Sequence, residues 1–246
     1  MKAVLVVAFL SLLVTSVTHA DYFKDEFNGA TLDTARWTVV TPCDYSLTGD
    51  GVLNVTVSGN WNGAGADSLF MTQAPDGDYT ATLKIQSYDA KYMWGQPAVA
   101  IYNADHSEYV KLGYVFDNVY SFFGPSGRGF EVGRSDAVAG EIDPFPYIDQ
   151  DMGLTPFWMQ IQKTGSTFDF RWSQDGSTFT SLGTLSPTFA ADLDHVAMWF
   201  GAEAIDTGTT QHTVAHVDSF EVTPEPATMS LLVIGGVALL RKGRKA

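Results

Sequence analysis

Glu141-Ile142-Asp143 places two carboxylates at i and i+2, a spacing that puts both on one face of a strand. Paired carboxyl groups on one face are what glycosidic-bond hydrolysis needs, about 5–5.5 Å apart in retaining chemistry. Here Pro144-Phe145-Pro146 follows directly, and no second glutamate completes the set. Two prolines remove ladder donors, so Glu141 and Asp143 read as loop residues and no catalytic residue is assigned. His212 and His216 stand four apart, as a helical zinc pair would. The intervening Thr213-Val214-Ala215 and the following Val217 favour a strand instead. Four residues along a strand span roughly 13 Å, too far for one zinc ion. Ser173-Gln174-Asp175-Gly176-Ser177 reads as a plain hairpin turn. Neither a phosphate-cradling glycine loop nor a nucleophile elbow is present. Aromatic side chains remain, at 13% of residues. Trp61, Tyr92, Trp94 and Tyr120 sit in or beside loops, where a ring face can stack on a sugar, and they are the candidate ligand-binding residues.

Strands must position these groups. In Pro156 to Leu185, Phe157, Met159 and Ile161 alternate with Trp158, Gln160 and Gln162. The alternation restarts at Phe168, Phe170 and Trp172. Thr164-Gly165-Ser166 and Gln174-Asp175-Gly176-Ser177 supply the turns, the second as an Asp-Gly hairpin. Period-two alternation with one apolar face means a half-buried antiparallel meander, which needs cover from the rest of the chain. Further strands are expected at 52–57, 68–72, 79–87, 97–102, 108–116, 119–123, 195–201 and 213–222. Ser126 to Pro146, rich in Gly, Asp and Pro, reads as a long loop with at most a short strand near Phe130-Glu131-Val132. No segment between the two ends carries a helical stripe. Many short strands with turns between them predict an all-β sandwich or jelly roll.

The ends differ from the body. Residues 1–20 have the layout of a signal peptide: Lys2, an apolar Val4 to Val14, and the small residues Thr18 and Ala20. Residues 223–246 begin with Thr223-Pro224-Glu225-Pro226, continue through the apolar Met229 to Leu240 and finish with Arg241-Lys242-Gly243-Arg244-Lys245. That order reads as a short transmembrane helix with its charges held in the cytoplasm. All 28 acidic residues lie between Asp21 and Pro226, where only nine basic ones occur, leaving a net charge of −19. Such a body is repelled by nucleic acid and anionic membranes and suits a soluble exported protein or one that collects cations. Cys43 is the only cysteine, so export brings no intrachain disulfide.

The Pro224-Glu225-Pro226 motif, apolar helix and basic end closely resemble the PEP-CTERM sorting tail of Gram-negative bacteria. The resemblance implies an exosortase-type membrane protease as partner and a place in the cell envelope or extracellular matrix, with the tail as transient or permanent anchor. The body, residues 21–222, resembles concanavalin A-like lectin/glucanase domains. The opening Asp25-Glu26-Phe27-Asn28-Gly29, then Leu32-Asp33 and Trp37, the Phe157 to Phe179 stretch, and the closing Val217-Asp218-Ser219-Phe220-Glu221-Val222 carry that likeness. It implies a concanavalin A-like jelly-roll β-sandwich. Glucanases of this type carry Glu-x-Asp-x-x-Glu on one strand, a pattern left incomplete at Glu141 and Asp143.

Parity along the last strand slips. Thr213, Ala215 and Val217 share one face, whereas Phe220 and Val222 have the opposite parity. Both Val217 and Phe220 are natural core residues, so a β-bulge is expected at Asp218-Ser219, turning the Asp218 carboxylate aside. In many related glucanases a structural calcium ion sits there. The matching positions are Asp218, Glu26 and Gly51, the last two through backbone oxygens, with further oxygens needed to complete the shell. Without an ion, Asp218 would cap the bulge through backbone N–H groups. Three functions remain open. The leading one is a non-catalytic carbohydrate-binding or biofilm-matrix component; the others are a glycan hydrolase or lyase and a purely structural surface protein.

Overall fold

Alternation of apolar and polar residues dictates a strand almost everywhere it occurs. The computed structural model describes residues 23–41, 43–59, 68–90, 95–116, 123–136, 140–142, 148–153, 155–201 and 211–224. In chain order the strands are β1 (Phe23–Asp25), β2 (Thr38–Val39), β3 (Asp44–Leu47), β4 (Leu53–Gly59), β5 (Ser68–Gln73), β6 (Tyr79–Ala90), β7 (Gln96–Tyr102) and β8 (Tyr109–Phe116). Then follow β9 (Arg128–Asp136), β10 (Gly140–Ile142), β11 (Ile148–Asp149), β12 (Phe157–Thr164), β13 (Thr167–Ser173), β14 (Thr180–Leu185), β15 (His195–Gly201) and β16 (Gln211–Pro224). A 3₁₀ turn, Gly124–Ser126, is the one helical element among the described residues.

The first sheet runs β14-β13-β12-β6-β16-β4-β3, with β1 also against β16. The second runs β10-β9-β8-β7-β15-β5-β2, with β11 against β9. The inner faces of the two sheets close on one core. In β12, Phe157, Met159 and Ile161 are fully buried, while Trp158, Gln160 and Gln162 are half-buried, as the alternation requires. Each such apolar side chain contributes about 1.5–3 kcal/mol by leaving water.

The opening motif has a mechanical role. Asp25 Oδ1 accepts from the Phe27 amide at 2.9 Å, and Asp25 Oδ2 accepts from the Trp37 indole N–H at 2.7 Å. Asp33 turns the intervening chain by accepting from Ala35 N at 3.0 Å through its carboxylate and from Trp37 N at 2.8 Å through its carbonyl. Trp37 is thereby held edge-on to Phe220 of the last strand, ring centroids 5.3 Å apart.

The slip in the last strand is real. Val217 pairs with Ile85 and Ser219 with Lys84, so the backbone of Asp218 is skipped in the pairing with β6 and bulges. Val217 and Phe220 are both fully buried. A second irregularity was not foreseen. His216 pairs with Ser87 and Val217 with Ile85, so Gln86 of β6 is skipped as well. One extra residue on each strand lets Tyr88 and Ile85 both face the core despite opposite parity.

Two expectations need correction. Residues 126–146 are not a long loop: β9 is a nine-residue strand inside the second sheet, and β10 pairs with it. Glu141 therefore lies in a strand, opposite Ser135, and not in a loop. Gly129 and Gly133, with Glu131 and Arg134, dilute the Phe130 and Val132 alternation that marks β9. The second meander turn is also longer than a two-residue hairpin. Trp172 pairs with Thr180, and Asp175 accepts from Ser177 N and Thr178 N at 2.8 and 2.7 Å. The first turn has two residues, with Thr164 opposite Thr167 and Gly165 at φ 56°. The strand expected at 119–123 lies outside the described residues apart from Phe123.

Candidate functional site

The outer face of the second sheet carries its own buried cluster. Alternation that sends Val99, Ile101, Val110, Leu112 and Met198 inward sends Ala98, Ala100, Lys111, Gly113 and Trp199 outward. Register stacks them in rows. Trp199 lies opposite Ala98, Ala98 opposite Gly113, and Gly113 opposite Glu131. The next row is Ala197, Ala100, Lys111 and Gly133. The floor is thus made of residues with little or no side chain, and the large polar groups stand around it.

Those groups are Gln96, Lys111 and Glu131, each only 4% exposed. Lys111 Nζ lies 3.3 Å from Glu131 Oε1 and 4.5 Å from the centre of the Trp199 ring. A buried ammonium stays charged only with such company, and removing one member of a buried pair typically costs 3–5 kcal/mol. Two glycines make the arrangement possible. A Cβ on Gly113 would collide with Gln96 Oε1, and one on Gly133 would press on the Lys111 stem. Gln96 Oε1 is buried without a hydrogen-bond donor. The cluster thus buries together an unmatched acceptor, a carboxylate held by an ammonium, and an indole. Acid–base hydrolysis needs a second carboxylate. Glu141 is a poor partner for Glu131: its register position, Ser135, is four residues, roughly 13 Å, along β9.

A second constellation surrounds the bulge. Asp25 pairs with Phe220, and Val217 with Leu53, so the end of β1 and the start of β4 flank Asp218. Glu26, Gly51 and Asp218 are therefore brought to one end of three neighbouring strands. A Cβ on Gly51, at φ 88°, would lie 3.0 Å from Asn28 Oδ1 and 3.3 Å from the Glu26 carbonyl oxygen. Two oxygens thus already converge on a position kept free of a side chain, which fits an oxygen-coordinated cation. The Asp218 carboxylate, however, is engaged: Lys84 Nζ lies 2.7 Å away and also covers the Trp158 ring at 5.1 Å. Lys24, hydrogen-bonded at 2.6 Å, holds the Glu26 carboxyl below its ordinary value, with smaller help from Asn28 and Lys84. Among the described residues, no three His, Cys, Asp or Glu side chains gather to hold a metal. An ion here would rely on one carboxylate and on carbonyl and amide oxygens.

The four loop aromatics, Trp61, Tyr92, Trp94 and Tyr120, lie outside the described residues, as do Asp143, Glu225, Pro226 and the two terminal segments. Pro224 ends β16. His216 meets Ser87 Oγ at 2.9 Å across β6 and β16, an ordinary sheet contact. Cys43 packs half-buried against the core. Sequence reasoning missed Gln96, Lys111, Glu131 and Trp199 as a group. Each sits in or beside an expected strand on its polar parity, but only register unites them.

No family model matches this chain, and no curated protein matches it. Solved structures do. A variant of the GH43 protein BlXynB from Bacillus licheniformis superposes with a TM-score of 0.61 at 16% identity, covering 82% of this chain and 39% of that one. A Bacillus licheniformis β-glucanase gives 0.55 at 11% identity, covering 85% and 100%. A prokaryotic β-1,3-1,4-glucanase (lichenase) derived from a mouse hindgut metagenome gives 0.55 at 12%, covering 83% and 99%. The chain thus spans about two fifths of the GH43 protein and essentially all of each glucanase. At these identities the likeness establishes the fold: an all-β jelly-roll sandwich of the concanavalin A-like lectin/glucanase type.

Proposed function

We propose that this chain is an exported, glycan-active protein that meets saccharide on the outer face of β15, β7, β8 and β9. The observation that carries the reading is the fold it shares with glycoside hydrolases, together with a buried polar cluster built over small residues on one sheet face. That likeness favours activity on glycans over the purely binding role expected from the sequence. Glu131, 3.3 Å from Lys111, is the carboxylate of that cluster and the candidate for acid–base work. Binding without cleavage is the second reading. It is favoured by Glu131 already being engaged in an ion pair with Lys111.

The PEP-CTERM-like tail supports sorting by an exosortase-type protease to the envelope or extracellular matrix of a Gram-negative cell. Calcium at Glu26, Gly51 and Asp218 would be structural, tying the first and last strands to the start of β4 and contributing no chemistry. Incubation with a panel of polysaccharides, assayed for retention and for new reducing ends, tests the function. Cleavage supports hydrolysis, retention alone supports binding, and neither leaves a structural surface protein.

A further inference from the structure

We infer that Asn28 modifies itself: the Gly29 amide nitrogen attacks its side chain, ammonia leaves, and a carboxylate replaces the amide. Gly29 has no side chain to hinder its own nitrogen. Asn28, Gly29, Ala30 and Thr31 are all exposed, strung between the buried anchors Phe27 and Leu32. Among the described residues no hydrogen bond occupies the Gly29 N–H. The Asn28 side chain is held by one exposed bond, from Nδ2 to Glu26 Oε2 at 3.3 Å. The other described asparagines lack that freedom. Asn54 lies in β4 and precedes the β-branched Val55. The Asn103 amide is engaged at both ends: Nδ2 donates to Ser107 Oγ and Oδ1 accepts from Glu108 N, each at 3.1 Å. At the Asp175-Gly176 turn, the Gly176 N–H is already taken by Ser173 Oγ at 2.9 Å.

Water is the only co-reactant. Gly29 N gives up its proton and bonds to Asn28 Cγ. The Cγ–Nδ2 bond breaks, and Nδ2 departs as ammonia with that proton. Water then opens the succinimide. Attack at Cγ breaks the new bond and leaves aspartate. Attack at the backbone carbonyl breaks the peptide bond to Gly29 and leaves isoaspartate, with the main chain running through Cγ. Either product loses the donor to Glu26 and adds a negative charge beside it. Asn28 Oδ1 also lies 3.0 Å from the place of a Gly51 Cβ, so in the aspartate form a charged oxygen replaces a neutral one at that corner.

The test is incubation of the full chain at neutral and at mildly alkaline pH, followed by peptide mapping and enzymatic methylation of isoaspartate. A synthetic peptide of residues 26–32 sets the unhindered rate. The Asn28 peptide is expected to gain the acid mass within about tenfold of that rate. Conversion should be faster at the higher pH, because the attacking nitrogen must lose its proton. The Asn54 and Asn103 peptides should stay amides. Gly29→Ala, whose Cβ would lie 3.1 Å from the Thr31 carbonyl oxygen, should slow the conversion at least about tenfold. If Gly29→Ala fails to fold, the parent's rate against the synthetic peptide decides alone. Conversion more than about a hundredfold slower than in the synthetic peptide, or equal in the parent and Gly29→Ala, overturns the inference. Conversion of Asn54 or Asn103 ahead of Asn28 overturns it as well.

Discussion

Lys84 Nζ lies 2.7 Å from Asp218 Oδ2, at the bulge where a structural calcium ion is proposed. The ammonium and a calcium ion compete for the same carboxylate. Millimolar calcium is expected to raise the melting temperature, since a ligand bound only by the folded state stabilises it by mass action. Asp218→Asn should remove most of that rise. Lys84→Met should shift the response to roughly tenfold lower calcium, the scale of one removed competing charge. Equal melting temperatures in chelator and in saturating calcium would count decisively against the site.

Glu141 lies in β10 opposite Ser135, remote in backbone position from Glu131. Glu141→Gln and Asp143→Asn are therefore expected to leave any glycan hydrolysis unchanged, measured as kcat/KM on the best substrate of the panel. A loss beyond about 100-fold, the scale of a general acid or base, would restore that pair as the catalytic centre.

The tail predicts a processing event. Protein isolated from its native host should end near Pro226 and lack Met229 to Ala246. Intact-mass analysis reads this directly, and a mass that includes the basic end would remove the processing proposal.

Asp175 is a pH handle. Hydrogen bonds from Thr178 N, Ser177 N and Ser173 Oγ, in that order of weight, hold its carboxyl well below the ordinary range. A depressed folded value means stability that is fully present above the unfolded carboxyl pKa, near 4, and fades as pH falls toward the folded one. Melting curves of the parent and Asp175→Ala should be separated by a constant gap above about pH 5, closing toward pH 2. A gap that persists unchanged at pH 2 would show that the turn does not depend on the ionised carboxylate.

Trp37 is 2% exposed and gives its indole N–H to Asp25. Asp25→Ala strands that donor and also frees the Phe27 amide. Urea unfolding should show a loss of at least about 1–3 kcal/mol, the cost of one buried unsatisfied group. No change in the midpoint would mean that water replaces the carboxylate.

Local pattern made much of this architecture legible. The meander was readable because apolar residues alternate along β12 and through Phe168 and Phe170 of β13, with turn residues between the strands. The bulge was readable because Val217 and Phe220 cannot both face the core on a regular strand. β9 was not, because glycines and charges outnumber its two inward apolar residues. The Gln86 irregularity was hidden in the same way: Ile85 and Tyr88 reveal it only once β6 is known to continue to Ala90. The site shows the deeper reason. Lys111 and Glu131 look like separate solvent-facing charges on separate strands. Their meeting is set by pairing between β8 and β9, which is non-local and carries no short-range signal.

β1 is hydrogen-bonded to β16, so residues 23–25 find their partners at 220–222. The same last strand fills the gap between β6 and β4. Until it arrives, both of those strands present bare edges and half the core has no lid. Acquisition of structure must therefore be late and slow, governed by contacts between the two extremes of the body. A chain interrupted before β16 would be an aggregation hazard, not a smaller version of the fold.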